Sequence, residues 1–153
     1  MIARETTPLT FVPVQEEHLP DIMAISADAY PDSWTEGMFR DEFGNHLSHF
    51  YVAFDGATLV GYAGFWLVAD EVHITTIAVR LDRRGRGYGR QLMDHLLESA
   101  GALGATLAAL EVRATNAPAI NLYTALGFRI AGRRKGYYSK TNEDAIVMMK
   151  DLS

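Results

Sequence analysis

One stretch of the sequence has the residue types that bind a phosphate group. The apolar run Ile77-Ala78-Val79 is followed, after a short polar turn, by Arg84-Gly85-Arg86-Gly87-Tyr88-Gly89-Arg90. Glycines permit tight turns and a close approach of the backbone, and the free N–H groups at the start of a helix attract negative charge. The stretch therefore predicts a site for a phosphate-bearing ligand. The alternative is an ordinary basic turn on the surface.

A carboxylate within an apolar strand is the second chemical candidate. Alternation along residues 105–113 would place Glu111 on one face with Leu107, Ala109 and Arg113. Burying a carboxylate is costly unless it has a partner or a use. The spacing alone leaves two interpretations open, which are a general base and a strand-end salt bridge with Arg113.

Tyr123 is the third candidate, because a phenol with a reference pKa near 10 can protonate a leaving group. It follows Asn116 by two helical turns, so both side chains would share a helix face with Ile120. The alternative for Tyr123 is packing, which is the commoner role of a tyrosine on an amphipathic helix. Asn116 could bind a ligand through its side-chain amide, cap the helix, or do both.

Hydrophobic periodicity predicts the elements that would position these residues. The first half reads as a strand over 9–14, a helix over 16–30 and a second helix over 34–43. Pro31-Asp32-Ser33 should separate the two helices, with Ser33 as the cap and Glu36 in the capping-box position. Three antiparallel strands should follow over 49–54, 58–68 and 72–79, the first pair joined by Asp55-Gly56.

The second half predicts a helix over 87–101, a strand over 105–113 and a helix that starts at 115–118 and ends at Gly127. Closing strands over 128–136 and 143–152 should be joined by the polar segment 138–142. The order β-α-α-β-β-β-α-β-α-β-β predicts an α/β (α+β) fold, a mixed sheet with helices on its faces. We expect one domain over 1–153, with 1–8 as a loose segment.

Composition limits the function classes. The 153 residues carry a formal net charge of −5, which argues against a nucleic-acid binder. Clusters of basic side chains at 80–90 and 133–135 suit a small polyanion. The absence of cysteine excludes disulfides, thiolate metal sites and a cysteine nucleophile. Five scattered histidines without an H-E-x-x-H spacing predict no metal site. No apolar run approaches the ~20 residues of a membrane span and no signal core is present, so we expect a cytoplasmic protein.

The glycine stretch fits the pattern Gln/Arg-x-x-Gly-x-Gly/Ala. A Rossmann fingerprint needs a parallel βαβ unit, whereas this stretch follows antiparallel strands, so the dinucleotide-binding interpretation is not favoured. With these features the chain resembles the GCN5-related N-acetyltransferase (GNAT) family, and over about residues 9–151 its RimI branch. One departure is Arg80-Leu81-Asp82, where family members often have a proline. Further similar segments are Ala69-Asp70-Glu71-Val72-His73-Ile74, Leu110-Glu111-Val112-Arg113-Ala114-Thr115-Asn116, Leu122-Tyr123, Leu126-Gly127-Phe128, Arg133-Arg134-Lys135-Gly136-Tyr137-Tyr138 and Asn142-Glu143-Asp144-Ala145.

The resemblance implies a GNAT fold, with a central mostly antiparallel sheet of about seven strands flanked by about four helices. It further implies direct acetyl transfer from acetyl-CoA to the α-amine of a protein N-terminus. The backbone of Ile77–Val79 would then hold the pantetheine arm and polarise the thioester carbonyl, residues 84–90 would hold the pyrophosphate, and Asn116 would bind the CoA arm. Glu111, with a modestly raised pKa, would be the base and would act through a water. The proton that it takes belongs to an α-amine, which has a reference pKa near 8. Tyr123 would be the acid.

For the acceptor, the expected partner is a protein or peptide N-terminus, with a small-subunit ribosomal protein as one candidate and neither nucleic acid nor membrane as a partner. Asp70 and Glu71 could attract its ammonium group, whereas His73 is expected to be structural. Aromatic residues are expected to form the walls of the acceptor site: Tyr30, Trp34, Tyr137 and Tyr138.

Two rival functions stay open. The same fold could acetylate a small amine or an antibiotic. A second alternative is a non-catalytic acyl-CoA-binding subunit of a larger complex, although such a subunit would have no need of Glu111 and Tyr123.

Overall fold

The described residues, 7–30 and 33–152 of a computed structural model, form a mixed α/β structure around one seven-stranded sheet. The strands are β1 (Thr10–Pro13), β2 (Ser48–Asp55), β3 (Thr58–Val68), β4 (Glu71–Val79), β5 (Leu107–Arg113), β6 (Arg129–Tyr138) and β7 (Glu143–Asp151). The helices are α1 (Leu19–Ala29), α2 (Glu36–Phe43), α3 (Tyr88–Ala102) and α4 (Ala117–Ala125). The predicted fold class and element order are confirmed.

The sheet has the spatial order β1-β2-β3-β4-β5-β7-β6, and every neighbouring pair is antiparallel except β4 and β5. The parallel pair is short. Only Glu71–His73 of β4 pair with Leu107–Ala109 of β5, although both strands continue beyond these residues. The two strands therefore diverge inside the sheet, and within the described ranges the later part of β4 has no strand partner on that side.

Two helical layers cover the two faces of the sheet. Helices α1 and α2 pack Ile22 and Phe39 against Val52 and Tyr62. On the other face, α3 and α4 pack Leu92, Met93 and Tyr123 against β3, β5 and β7. Apolar burial of this kind on both faces is the main stabilising term of the fold.

Local differences from the expected elements have simple causes. The first helix opens with a 3₁₀ turn at Glu16–His18 before α1 begins at Leu19. Helix α2 begins at Glu36 and not at Trp34, because the Thr35 hydroxyl, and not Ser33, accepts a hydrogen bond from the N–H of Met38 at 3.2 Å. Strand β6 continues to Tyr138, which was expected in the connecting segment.

Parts of the expectation fall on residues outside the described ranges. The loose segment expected over 1–8 is described only from residue 7, and Pro31 and Asp32 of the expected helix break are not described. Within the described ranges, no helix is both long enough and apolar enough to cross a membrane.

His95 on α3 gives the fold a pH-dependent stability. Its ring stacks on Phe11 at 4.3 Å between centroids and meets Tyr51 edge-on, and its buried Nε2 has no hydrogen-bond partner among the residues that the structure describes. Burial lowers the pKa of His95, opposed by the nearby carboxylate of Glu98. The unfolded chain therefore takes up a proton near the ordinary pKa of about 6.5 while the folded chain does not, so stability falls as the pH falls through that value.

We expect the free energy of unfolding, measured with urea at pH 7.5 and 5.5, to fall more in the wild type than in His95→Phe. The phenyl ring keeps the stacking and cannot be protonated. His46→Phe, at an exposed position, is the matched control and should behave as the wild type does. Equal losses in the wild type and His95→Phe would contradict this account.

Candidate active site

A cavity of about 760 Å³ lies where β4 and β5 diverge. Its walls come from the end of α1, from α2, from the later parts of β4 and β5, from α4 and from the β6–β7 hairpin. It brings together eight of the residues that the sequence singled out: Tyr30, Trp34, Ile77, Glu111, Asn116, Tyr123, Tyr137 and Tyr138.

Glu111 lies in β5 with its side chain largely buried (15% exposed), on the face that α1 and α2 cover. Its Oε2 is 2.5 Å from Nε2 of His73, and its Oε1 is 3.6 Å from Nη1 of Arg134. The expected alternative partner, Arg113, pairs instead with Glu143 at 3.1 Å. Glu111 is therefore held by a histidine from the neighbouring strand β4 and by an arginine from β6, which lies beyond β7.

The structure adds a partner to Glu111 and corrects one expectation about it. His73, expected to be structural, lines the cavity and contacts Glu111. The pKa of Glu111 is lowered and not raised, because the hydrogen bond with His73 and the charges of His73 and Arg134 outweigh the effect of burial. The alternation of Val72, His73 and Ile74 along β4 indicates that His73 lies on the opposite face from its two apolar neighbours. The contact with Glu111 also requires the parallel register of β4 and β5, which the local sequence does not contain.

Tyr123 reaches the cavity from α4, on the opposite face of the sheet from α1. Its ring is buried against Phe128, and burial raises the pKa of the phenol to about 12. The start of α4 is fixed by Asn116, whose side-chain oxygen accepts a hydrogen bond from the N–H of Ala119 at 3.2 Å. Asn116 thus caps the helix as expected and also lines the cavity.

Tyr30 closes one side of the cavity. Its hydroxyl donates a hydrogen bond to the carbonyl of Ile77, on the part of β4 that lies beyond its pairing with β5. Burial raises the pKa of Tyr30 strongly, and the neighbouring phenols Tyr62, Tyr123 and Tyr138 add to this rise. Tyr30 and Tyr123 therefore approach the same space from the two faces of the sheet.

The β6–β7 hairpin adds two arginine–tyrosine stacks. The guanidinium of Arg134 lies 4.5 Å from the ring centre of Tyr137, and that of Arg113 lies 3.9 Å from the ring centre of Tyr138. Arg113 also donates to Glu143 at 3.1 Å. These contacts hold both tyrosine rings at the rim of the cavity.

The glycine stretch forms the turn that leads from β4 into α3. Gly85 and Gly87 have φ values of 77° and 79°, a left-handed conformation that favours glycine. The first intrahelical bond near this end runs from Gln91 N to Gly87 O, so the preceding N–H groups of α3 are available to a ligand. Backbone N–H groups at a helix start, beside several arginines, fit the pyrophosphate of a nucleotide cofactor.

The side chain of Tyr88 is held inside the protein. It is buried, and its hydroxyl donates to Oδ2 of Asp55 at 2.8 Å. The same oxygen accepts from Nη1 of Arg83 at 3.1 Å. Asp55, at the end of β2, therefore ties both ends of the glycine turn to the β2–β3 hairpin, and Tyr88 can offer a ligand only its backbone.

Asp70 and Glu71 lie outside the cavity, at the end of β4 that pairs with β5. Oδ2 of Asp70 accepts a hydrogen bond from the Thr106 hydroxyl at 2.9 Å, so this side chain stabilises the β3–β4 turn. Within the described residues, no group of three or more histidine, aspartate or glutamate side chains is placed to hold a metal ion.

Comparison with known proteins agrees with this geometry. The acetyltransferase (GNAT) family model matches residues 19–128. The ribosomal protein bS18-alanine N-acetyltransferase of Escherichia coli (strain K12) is 35% identical over 146 residues, covering 94% of this chain and 98% of the relative. The N-alpha-acetyltransferase RimI of Mycobacterium tuberculosis is 36% identical over 124 residues, covering 78% of this chain and 77% of the relative.

Among solved structures, the ribosomal-protein-S18-alanine N-acetyltransferase from Escherichia coli superposes with a TM-score of 0.88 at 32% identity, covering 95% of both chains. The similarity thus extends through the strands that form the cavity and the helix that follows the glycine turn. The chain belongs to the acetyltransferase (GNAT) family and is an N-acetyltransferase that uses acetyl-CoA.

Proposed function

We propose that this chain transfers the acetyl group of acetyl-CoA directly to the α-amine of a protein N-terminus. The observation that carries the proposal is the meeting of Glu111, His73 and Tyr123 in one cavity beside the unpaired part of β4. The names of the relatives support a protein acceptor, with a ribosomal protein of the bS18 type as the first candidate. The proposed place of the reaction is the cytoplasm.

The donor side of the site fits acetyl-CoA. In the described part of the chain, the backbone of Ile77–Val79 has no strand partner on the side of β5, so it can pair with an extended amide-containing arm as with another strand. The turn of Gly85 and Gly87 and the first N–H groups of α3 can receive the pyrophosphate. Acetyl-CoA supplies a thioester, whose acetyl carbon would lie near the point where β4 and β5 separate.

Glu111 accepts the proton of the acceptor amine, through a water and with His73 as its partner. A carboxylate with a lowered pKa is ionised at neutral pH and attracts an ammonium group, but alone it is a weak base. The hydrogen-bond contact with His73 fixes the position of the carboxylate, so Glu111 is the proposed base and His73 is its positioning partner.

Tyr123 donates the proton that the departing sulfur needs. Its raised pKa, about 12, keeps the hydroxyl protonated at every working pH. A thiolate that leaves into the same poorly hydrated space is also destabilised, which raises the pKa of its thiol above the ordinary 8.5 and reduces the difference between the two groups. Base and acid then act from opposite faces of the sheet, on the two sides of the reacting carbonyl.

The direct test is incubation with acetyl-CoA and a peptide that begins Ala-Arg, followed by mass spectrometry. We expect one acetyl group on the α-amine. The same peptide with a blocked N-terminus and an internal lysine is the control and should stay unmodified. Acetylation of free small amines but not of the peptide α-amine would refute the proposal and favour the small-amine alternative.

Removal of the two proton-transfer groups should lower kcat. We expect Glu111→Gln and Tyr123→Phe each to reduce kcat by about 100-fold or more, with little change in the KM for acetyl-CoA. Glu17→Gln and Tyr51→Phe, which make the same chemical changes outside the cavity, should retain activity. Turnover unaffected by either active-site change would remove this mechanism.

Loss of the Asp55 carboxylate should weaken binding of the donor. Asp55→Ala removes both hydrogen bonds that hold the glycine turn, so we expect the KM for acetyl-CoA to rise by about tenfold, equivalent to about 1.4 kcal/mol. The KM for the acceptor peptide should be unchanged. Asp151→Ala, which removes the exposed Asp151–Arg129 pair at 3.5 Å, is the matched control. Equal effects of the two variants on the KM for acetyl-CoA would contradict this role of Asp55.

A further inference from the structure

Glu42 is a buried carboxylate on the α2 side of the cavity, and the chemistry described so far makes no use of it. The residue is 6% exposed and lines the cavity. Its Oε2 accepts hydrogen bonds from the Ser48 hydroxyl at 2.6 Å and from Nε1 of Trp66 at 2.7 Å. In the described part of the chain its Oε1 accepts no hydrogen bond, and no cationic side chain pairs with it.

Such an arrangement is unusual for a carboxylate. Buried charges are normally paired with an opposite charge, because neutral donors only partly replace the lost hydration. Both donors to Glu42 are neutral and both bond the same oxygen. The indole rings of Trp34 and Trp66 line the same cavity and present faces that attract cations. A carboxylate with a free oxygen beside two indoles has the composition of a site for a cationic side chain.

The sheet connects Glu42 to the reacting centre. Trp66 of β3 lies directly opposite His73 of β4, so the two side chains are neighbours on one face of the sheet. His73 contacts Glu111, and Trp66 contacts Glu42. The four side chains therefore form a continuous row along the cavity, from the proposed base to α2.

We propose that Glu42 binds a lysine or arginine side chain at the second or third position of the acceptor peptide. This rests on the proposed function, since the row begins where the α-amine would lie. An extended peptide with its amine at Glu111 runs over Trp66 toward Glu42, and Ser48 and Trp66 hold the carboxylate ready to receive the cation. Glu42 thereby makes the enzyme selective for basic N-terminal segments.

The test compares pairs of peptides that differ only in one charge. Arginine at position two or three is replaced by citrulline, which keeps the size and polarity of the side chain and removes its positive charge. For the wild type we expect kcat/KM to be at least tenfold higher for the arginine peptide at one of the two positions. No preference at either position would overturn the proposal, even if every peptide is acetylated on its α-amine.

Glu42→Gln separates recognition from a structural role, because glutamine can still accept from Ser48 and Trp66. We expect kcat/KM for the preferred arginine peptide to fall about tenfold, mainly through KM, and the citrulline peptide to be unaffected. Glu36→Gln, at an exposed position of the same helix, is the control and should leave both values unchanged. An equal loss for both peptides would show that Glu42 only supports the fold. Failure of the wild type to acetylate any peptide α-amine would instead refute the proposed function.

Discussion

The early end of the parallel pairing between β4 and β5 is the constraint on which the site depends. Three residues of each strand pair, and beyond His73 and Ala109 the strands separate. A sheet that stayed closed there would bury the later N–H and C=O groups of β4 in its own ladder. Because it opens, the fold has an unpaired strand edge in its interior and a passage between its two faces.

Through this passage, an ionised carboxylate and a protonated phenol line the same cavity. On the α1 and α2 face, a hydrogen bond with His73 and the charge of Arg134 keep Glu111 ionised. On the other face, burial alone keeps the phenol of Tyr123 protonated. A closed sheet would separate the two groups by its own thickness. The same opening would therefore explain both the access of substrates and the proposed assignment of base and acid.

Local patterns in the sequence are sufficient for the element order and for eight of the 22 residues that line the cavity. Strand alternation placed Glu111 correctly on the polar face of β5, and helical spacing placed Asn116 and Tyr123 together. The expected rise in the pKa of Glu111 is wrong, and the hydrogen bond from Tyr88 to Asp55 has no signal in the sequence, because each depends on a partner distant in the chain. Those partners are His73, 38 residues away, and Asp55, 33 residues away. The periodicity of the sequence does not indicate contacts between residues so far apart. These two contacts depend on the register of β4 against β5 and on the position of the β2–β3 hairpin.

Basic and acidic side chains are concentrated at different places around the same opening. Arginines concentrate at the glycine turn, where the polyanionic donor fits, while the carboxylates of Glu42, Glu111 and Glu143 line the cavity that the acceptor would enter. Glu143 is already paired with Arg113, and Glu111 with His73. Among the described residues, Glu42 alone of these three has only neutral donors. An overall charge of −5 therefore does not describe a uniformly acidic surface, because arginines cluster at the proposed donor site and the proposed acceptor cavity holds a carboxylate that no described cationic side chain pairs with.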